Sequence, residues 1–409
     1  MSVSPQALPV AAARGMPPAT VVLVLSLLLG IQPVTTDLYL PALPSLTESF
    51  RATTAQAQLS LTALLLAFGT SQLVWGPLSD RFGRRPVLLW GLALYTAAAA
   101  ACTAAGSMEQ FLLARTVQGA AMGAAVMGAR ALVRDLYDPQ AGARAMSRGL
   151  SGLGVLACLG PALGGVLADA FGWRAALATT ALFGCAAFAV IALRFEETLA
   201  RRNPRALSPR ELATAWLSIV RHPTFLAYSA LATASYAGLF VYLASSSFVF
   251  IRVLGYSRTA YGLVMLSTAF VYIVGTILCR RLLPRFGLRR TVAVAAALTL
   301  TGGTVMGVLG MLGVQSGPAI LAPFYLFMLA HGVHQPCGQS GAVGPFPQAA
   351  GAASALNGFL MMVVAFAVGG WVGAHLDGTA RVLTNGVWAA SAAIALTAWT
   401  LVQRYGEPR

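Results

Sequence analysis

The feature that most constrains this chain is the recurrence of apolar runs of about 20 residues along its whole length. A helix of about 20 residues crosses the roughly 30 Å hydrocarbon core of a bilayer. A mean hydropathy of +0.74 with 57% hydrophobic residues excludes an ordinary soluble domain. The sequence therefore predicts an all-α integral membrane protein with twelve transmembrane helices. The runs cover residues 19–40, 55–77, 87–106, 110–131, 145–168, 174–194, 224–251, 257–280, 291–313, 318–337, 349–374 and 380–403.

Arginine supplies every one of the 27 basic residues, and the formal net charge is +15. Such a charge on a soluble protein would suggest a nucleic-acid partner. Here most arginines lie in the loops that share a side with the N-terminus, and few lie in the alternate loops. The positive-inside rule therefore predicts cytoplasmic N- and C-termini, which we expect in a bacterial inner membrane.

A charged segment at residues 76–85 separates the second and third runs, and part of it recurs half a chain later at residues 285–290. We expect its Gly-Pro pair to end the second helix in a tight turn. The repeat predicts two pseudo-symmetric six-helix bundles. The hydrophilic stretch at mid-chain then divides the protein into an N-terminal bundle (1–195), a cytoplasmic linker (196–223) and a C-terminal bundle (224–409).

Several motifs carry a family resemblance. Residues 76–85, Gly-Pro-Leu-Ser-Asp-Arg-Phe-Gly-Arg-Arg, resemble the signature between helices two and three of the major facilitator superfamily. Arg115-Thr-Val-Gln-Gly119 is similar to its intramembrane Arg-x-x-Gln-Gly motif, and residues 160–165 resemble the Gly-Pro-x-x-Gly-Gly motif of its proton-coupled exporters. Residues 36–42 and 345–356 resemble the bicyclomycin/chloramphenicol-resistance (Bcr/CflA) drug–proton antiporters. The resemblance covers nearly the whole chain.

The resemblance implies a multidrug efflux transporter that exchanges small amphiphilic or neutral compounds, such as chloramphenicol or bicyclomycin, for protons by alternating access. The alternative is a uniporter or proton-coupled exporter of one metabolite. We expect a monomer in the lipid bilayer, with protons and a small molecule as partners and no nucleic acid. The proton gradient would supply the energy, without a cofactor or a metal. The sequence has no HExxH, Ser-His-Asp or P-loop pattern, so we expect no enzyme.

A proton carrier inside a membrane must be a titratable group, and such groups are costly there. Of the twelve acidic residues, only Asp37 falls within an apolar run. Arg115 is expected at a similar depth, where its charge would favour the ionised form of Asp37 while burial opposes it. Alternatively, Asp37 marks the interfacial end of a helix closed by Pro41 and Pro44, and Arg115 extends to the headgroups. His331 and His334 are the other titratable candidates.

By the family resemblance, Asp80 faces the start of the eleventh helix, whose positive dipole end favours a carboxylate. We predict that it latches the two halves together and that Arg84 pairs with Asp135. The alternative is a charge pattern that only sets topology. The predicted latch comprises Gly76, Asp80, Arg81, Gly83, Arg84 and Asp135.

The fifth predicted helix carries Gly160, Pro161, Gly164 and Gly165. Proline breaks the helical hydrogen-bond ladder, and small residues allow close helix contact. We expect a kink and a tight seal against the eighth helix, or packing alone. Aromatic and polar side chains elsewhere are candidate substrate contacts, although ordinary packing explains them too. They are Tyr39, Gln118, Tyr236, Phe240, Tyr242, His331 and His334.

Overall fold

The computed structural model describes residues 16–137, 145–146, 149 and 159–406, without the side chain of Gln348. Over these residues the protein is helical and contains no strand. The helices are α1 Pro18–Thr36, α2 Leu43–Ser49, α3 Thr54–Phe82, α4 Arg84–Ala104, α5 Met108–Leu136, α6 Leu159–Phe171, α7 Trp173–Arg194, α8 Pro209–Val220, α9 Pro223–Ser247, α10 Arg258–Met311, α11 Gly317–Val343, α12 Ala350–His375, α13 Arg381–Trp399 and α14 Leu401–Tyr405. Short 3₁₀ turns lie at Leu40–Ala42 and Pro347–Ala349, and a π-helix at Phe248–Val253 extends α9.

The helices confirm the twelve predicted spans. Nine helical stretches of the described residues are long and apolar enough to cross a membrane. One of them, α10, contains both the eighth and the ninth predicted runs. The tenth run is α11, and the described part of the fifth is α6. The chain is therefore an all-helical, multi-pass membrane protein.

The predicted end of the second helix is wrong. Gly76 and Pro77 lie inside α3, which continues to Phe82 and ends at Gly83 with φ 111°. A proline removes one backbone donor but does not force a stop, whereas a positive φ cannot continue a right-handed helix. The half-chain copy behaves in the same way, because α10 is interrupted only at Gly287, with φ 70°. The Phe-Gly pair is thus the break that the two copies share.

The first membrane helix is broken rather than closed. The α1 helix ends at Thr36, with the Asp37 N–H donating to the Pro33 carbonyl at 2.8 Å. A turn over residues 37–39 and the 3₁₀ turn Leu40–Ala42 then lead into α2. The alternative in which Pro41 and Pro44 close the helix is therefore wrong, because both prolines lie after the turn, in helical structure that continues to Ser49.

Two helix pairs join the first half of the chain (through Arg194) to the second (from Pro223). Along the α3–α12 pair, a Cβ built on Gly69 would lie 2.5 Å from Met362 Cβ. In the α6–α10 pair, a Cβ on Gly165 would lie 2.5 Å from the Arg258 carbonyl oxygen. These glycines bring the backbones of the two halves into close contact. We call the two ends of the molecule the Asp80 end and the Glu48 end.

Candidate functional site

The break in α1 is held from one side by Arg115 of α5. Arg115 is fully buried, and both Nη atoms donate to the Thr35 carbonyl at 3.3 Å. Its Nη1 also donates to Gln118 Oε1 at 2.9 Å, and the guanidinium lies 4.4 Å from the centroid of the Tyr39 ring. Arg115 thus contacts residues on both sides of Asp37 and fixes the shape of the turn.

The α6 helix holds the break from the other side. A Cβ on Gly164 would lie 1.8 Å from the Leu38 carbonyl oxygen, whereas one on Gly160 would be 4.0 Å from the Leu38 nitrogen. The predicted contact with the eighth helix is also present, because a Cβ on Gly262 would lie 2.6 Å from the Pro161 carbonyl oxygen. The predicted kink depends in part on residues 150–158, which lie outside the described residues.

Asp37 lies at the centre of this turn and is half-buried. Its Oδ1 accepts a hydrogen bond from Thr36 Oγ1 at 2.6 Å. Asp37 and Arg115, both described, form no ion pair within 4.0 Å, so the expected charge attraction is not a direct contact. The 3₁₀ turn Leu40–Ala42, which follows Asp37, contacts both α9 and α10 of the second half. Asp37 therefore lies where the two halves meet.

Two pairs of buried hydroxyl groups lie beside the turn, and of their four members the sequence indicated only Tyr39. The hydroxyls of Thr35 and Tyr95 lie 2.6 Å apart, and those of Tyr39 and Ser60 lie 2.7 Å apart. Each bond joins α1 or its extension to a neighbouring helix. No motif indicates these partners, because the two members of each pair come from different helices.

Two of the predicted aromatic residues lie at the seam between the halves. Tyr236 and Phe240 stack with ring centroids 6.4 Å apart. A Cβ on Gly369 of α12 would lie 2.9 Å from the Phe240 ring and 1.9 Å from Thr62 of α3, which belongs to the first half. Tyr242 is placed differently, because its ring stacks on Phe324 of α11 at 3.8 Å within the second half. The structure therefore places Phe240, with Tyr236 stacked on it, beside the α3–α12 contact, and it places Tyr242 within the second half.

The two histidines of α11 are buried within the second half. His331 Nδ1 is 2.8 Å from Ser235 Oγ, and its ring stacks on Phe327 at 6.0 Å. His334 is fully buried, and neither ring nitrogen has a hydrogen-bond partner among the residues that the structure describes. No hydrogen bond of the described residues connects either histidine to Asp37.

At the Asp80 end, the predicted pair of Arg84 and Asp135 is present. Arg84 is only 2% exposed, with Nε 2.8 Å from Asp135 Oδ2 and Nη1 2.7 Å from Asp80 Oδ1. Asp80 Oδ1 also lies 3.4 Å from Arg134 Nη2. Arg134 Nη1 is 3.2 Å from the position of a Cβ on Gly351, in the first turn of α12. Asp80 thus reaches the start of α12 through an arginine.

The predicted linker contributes two residues to this network that the sequence did not indicate. Glu197 Oε1 accepts from the Arg84 backbone N–H at 2.9 Å, and its Oε2 accepts from that of Arg85 at 3.2 Å. A carboxylate at a helix N-terminus is favourable, so Glu197 caps α4. Thr198 donates to Asp135 at 3.2 Å.

The Glu48 end is also bridged between the halves. Asp169, at the end of α6, accepts hydrogen bonds from the Thr259 N–H at 2.8 Å and from its hydroxyl at 2.7 Å. Arg252 lies 3.2 Å from Glu48 and donates to the Pro44 carbonyl at 3.1 Å. The two halves are therefore in contact at both ends, with Asp37 between them.

Residues 25–370 match the family model described as Major Facilitator Superfamily. The chain belongs to this superfamily. It is 28% identical over 341 residues to "Multidrug resistance protein D" of Escherichia coli (strain K12), covering 83% of this chain and 85% of that protein. It is 27% identical over 352 residues to the "Bicyclomycin resistance protein homolog" of Haemophilus influenzae, covering 86% of this chain and 87% of that protein.

A solved structure supports the fold assignment. The crystal structure of a human organic anion transporter superposes with a TM-score of 0.71 at 23% identity, covering 94% of this chain and 99% of that one. At this identity the likeness shows the fold alone. Family and fold together identify a multi-pass membrane transporter, and the relatives confirm the resemblance to the drug-resistance branch of the superfamily.

Proposed function

We propose that the protein exports small amphiphilic or neutral compounds, of the kind represented by chloramphenicol and bicyclomycin, in exchange for protons. The observation that carries the proposal is the broken α1 helix. It places Asp37, the one carboxylate within an apolar run, between the two halves of the chain. The relatives named for multidrug and bicyclomycin resistance support export of such compounds.

In the proposed mechanism, Asp37 takes a proton when the Glu48 end is open and releases it when the Asp80 end is open. The turn can respond to protonation because, among the described residues, the Asp37 carboxylate has a hydrogen bond from the Thr36 hydroxyl and no ion pair with Arg115. The stacked rings of Tyr236 and Phe240 would supply an aromatic wall for an apolar ligand. Drug and proton would occupy the site in turn, so that each displaces the other.

The proposal includes an orientation. The Asp80 end faces the cytoplasm of a bacterial inner membrane, as do both termini, because the arginine-rich loops lie there. Two six-helix bundles, joined by residues 196–223, rock about the central site in a monomer. The Arg84 network then closes the cytoplasmic end, and the Asp169 and Arg252 contacts close the outer end.

The energy of export comes from the proton gradient without a cofactor. Each proton supplies about 1.4 kcal/mol per pH unit and about 2.3 kcal/mol per 100 mV of membrane potential. One exchanged proton can therefore drive roughly tenfold accumulation for each pH unit when the cargo is neutral. This coupling distinguishes antiport from uniport, which dissipates only the gradient of the cargo.

Purified protein in liposomes with an internal pH-sensitive dye tests the proposal. A proton gradient is imposed and chloramphenicol is added, with protein-free liposomes as the control for passive leak. We expect proton flux that starts with the drug and saturates with its concentration. Drug flux without any proton flux would refute antiport and favour uniport.

A further inference from the structure

Arg130, near the end of the fourth apolar run, is a second cation of α5 whose role is not explained by the central site. It lies in α5, five residues before Asp135 and so about 8 Å inside the Asp80 end of the helix. Its side chain is half-buried. Within the described part of the chain, its Nη1 donates to Gln72 Oε1 at 3.5 Å and lies 4.0 Å from Met127 Sδ.

Arg130 differs in its pairing from the two other arginines of this region. Arg84 and Arg134 each lie within 4.0 Å of a carboxylate, whereas Arg130 has none among the residues that the structure describes. A guanidinium carries five N–H donors, and those of Arg130 other than on Nη1 have no acceptor within the described part of the chain. A charge inside the membrane is costly unless it is paired or functional. Arg130 is therefore a cation available to a ligand.

The surroundings place Arg130 at the seam between the halves. Gln72 of α3 is only 2% exposed, and its Oε1 lies 3.1 Å from the position of a Cβ on Gly358 of α12. The neighbouring Asn357 is 3% exposed, and its Oδ1 has no hydrogen-bond partner in the described part of the chain. Gln72, the hydrogen-bond partner of Arg130, therefore lies where α3 of the first half meets α12 of the second.

We propose that Arg130, supported by Gln72, binds a carboxylate or comparable anionic group of a substrate that enters from the Asp80 end. The planar guanidinium matches a carboxylate through two parallel charge-assisted hydrogen bonds, which are roughly twice as strong as those to a neutral acceptor. The inference rests on the proposed export function and extends its substrate class to amphiphilic organic anions. Arg130 sets the preference for these substrates, while Asp37 carries the proton.

This assignment has an electrical consequence. Exchange of a neutral compound for one proton moves one elementary charge, whereas exchange of a monoanion for one proton moves two. Export of the anion must therefore depend more steeply on membrane potential. The difference is a property of the transported charge and would not follow from a structural role of Arg130.

Chloramphenicol and its hemisuccinate ester form a matched pair for the test, since the ester adds a carboxylate to the same scaffold. Binding of both to the purified full-length protein is measured by calorimetry. We expect the wild type to bind the ester more tightly than the parent. Arg130→Gln should lower the affinity for the ester by about 10- to 100-fold and leave the affinity for chloramphenicol within about twofold of the wild-type value. Arg130→Lys keeps the positive charge but lacks the planar guanidinium. Its affinity for the ester should lie between those of the wild type and Arg130→Gln.

Arg404→Gln removes an exposed arginine of α14 and is the matched control, which should change neither affinity. Tighter wild-type binding of the parent, or equal losses for both compounds in Arg130→Gln, would overturn the anion site but leave the proposed export function intact. Binding of neither compound to the wild type would contradict that function as well. If Arg130→Gln does not fold, unchanged ester selectivity in Arg130→Lys overturns the proposal.

Discussion

Replacing Gly164 with alanine tests whether the turn that carries Asp37 is held by close backbone contact with α6. The added Cβ would lie 1.8 Å from the Leu38 carbonyl oxygen and 2.7 Å from its carbon. Ordinary carbon–oxygen contact is about 3.3 Å, so the two backbones must separate by roughly 1.5 Å. Overpacking of this kind costs about 1–3 kcal/mol, of which the better helix propensity of alanine offsets about 1 kcal/mol.

The neighbouring Gly160 gives a matched control in the same motif. A Cβ at this position would be 4.0 Å from the Leu38 nitrogen, so alanine fits and only the gain in helix propensity remains. Both variants are compared by thermal stability in detergent and by drug-triggered proton flux in liposomes. We expect Gly160→Ala to match the wild type and Gly164→Ala to lose about 10- to 100-fold in flux, as for a reacting group displaced by about 1 Å. Equal behaviour of the two variants would refute the reasoning.

Two further substitutions probe the contacts at the ends and along the seam. Asp135→Ala removes one of the two carboxylates that pair with the buried Arg84. Breaking a buried ion pair costs up to about 3–5 kcal/mol, so the melting temperature in detergent should fall. An unchanged melting temperature would contradict a stabilising role of this pair. The Cβ added by Gly369→Ala would lie 1.9 Å from Thr62 of α3. A Cβ added at Gly370 would have no atom of the described residues within 4 Å. We expect only Gly369→Ala to slow transport in liposomes, and the same rate in both would argue against a tight α3–α12 contact.

The fold could be predicted from the sequence because each membrane span must satisfy its own backbone hydrogen bonds and be apolar over its length. These constraints are local, and they located all twelve spans. The ends were less accurate, because charged residues continue a helix beyond the apolar run. Gly76 and Pro77 resembled a stop, whereas the real stop at Gly83 depends on a backbone conformation that hydropathy does not report.

A site residue was predictable where its own type and position stand out in the sequence. It was not predictable where its role depends on a contact with a residue far away in the chain. Asp37 and Arg115 stand out as charges within apolar runs, and the structure places both at the break in α1. Glu197 could not be assigned, because it caps a helix that begins more than a hundred residues earlier. The roles of Asp37 and of the aromatic wall remain predictions that transport measurements must test.

The most direct test of proton coupling compares two modes of transport in the same Asp37→Asn protein. Asparagine keeps the size of the side chain and can still accept the hydrogen bond from Thr36, so the turn should be preserved. Exchange of labelled for unlabelled chloramphenicol across liposomes at equal pH needs no net proton movement, whereas uphill export does. We predict that the variant retains exchange and loses both drug-triggered proton flux and uphill transport. Proton flux at the wild-type rate in Asp37→Asn would contradict the assignment of Asp37 as the carrier.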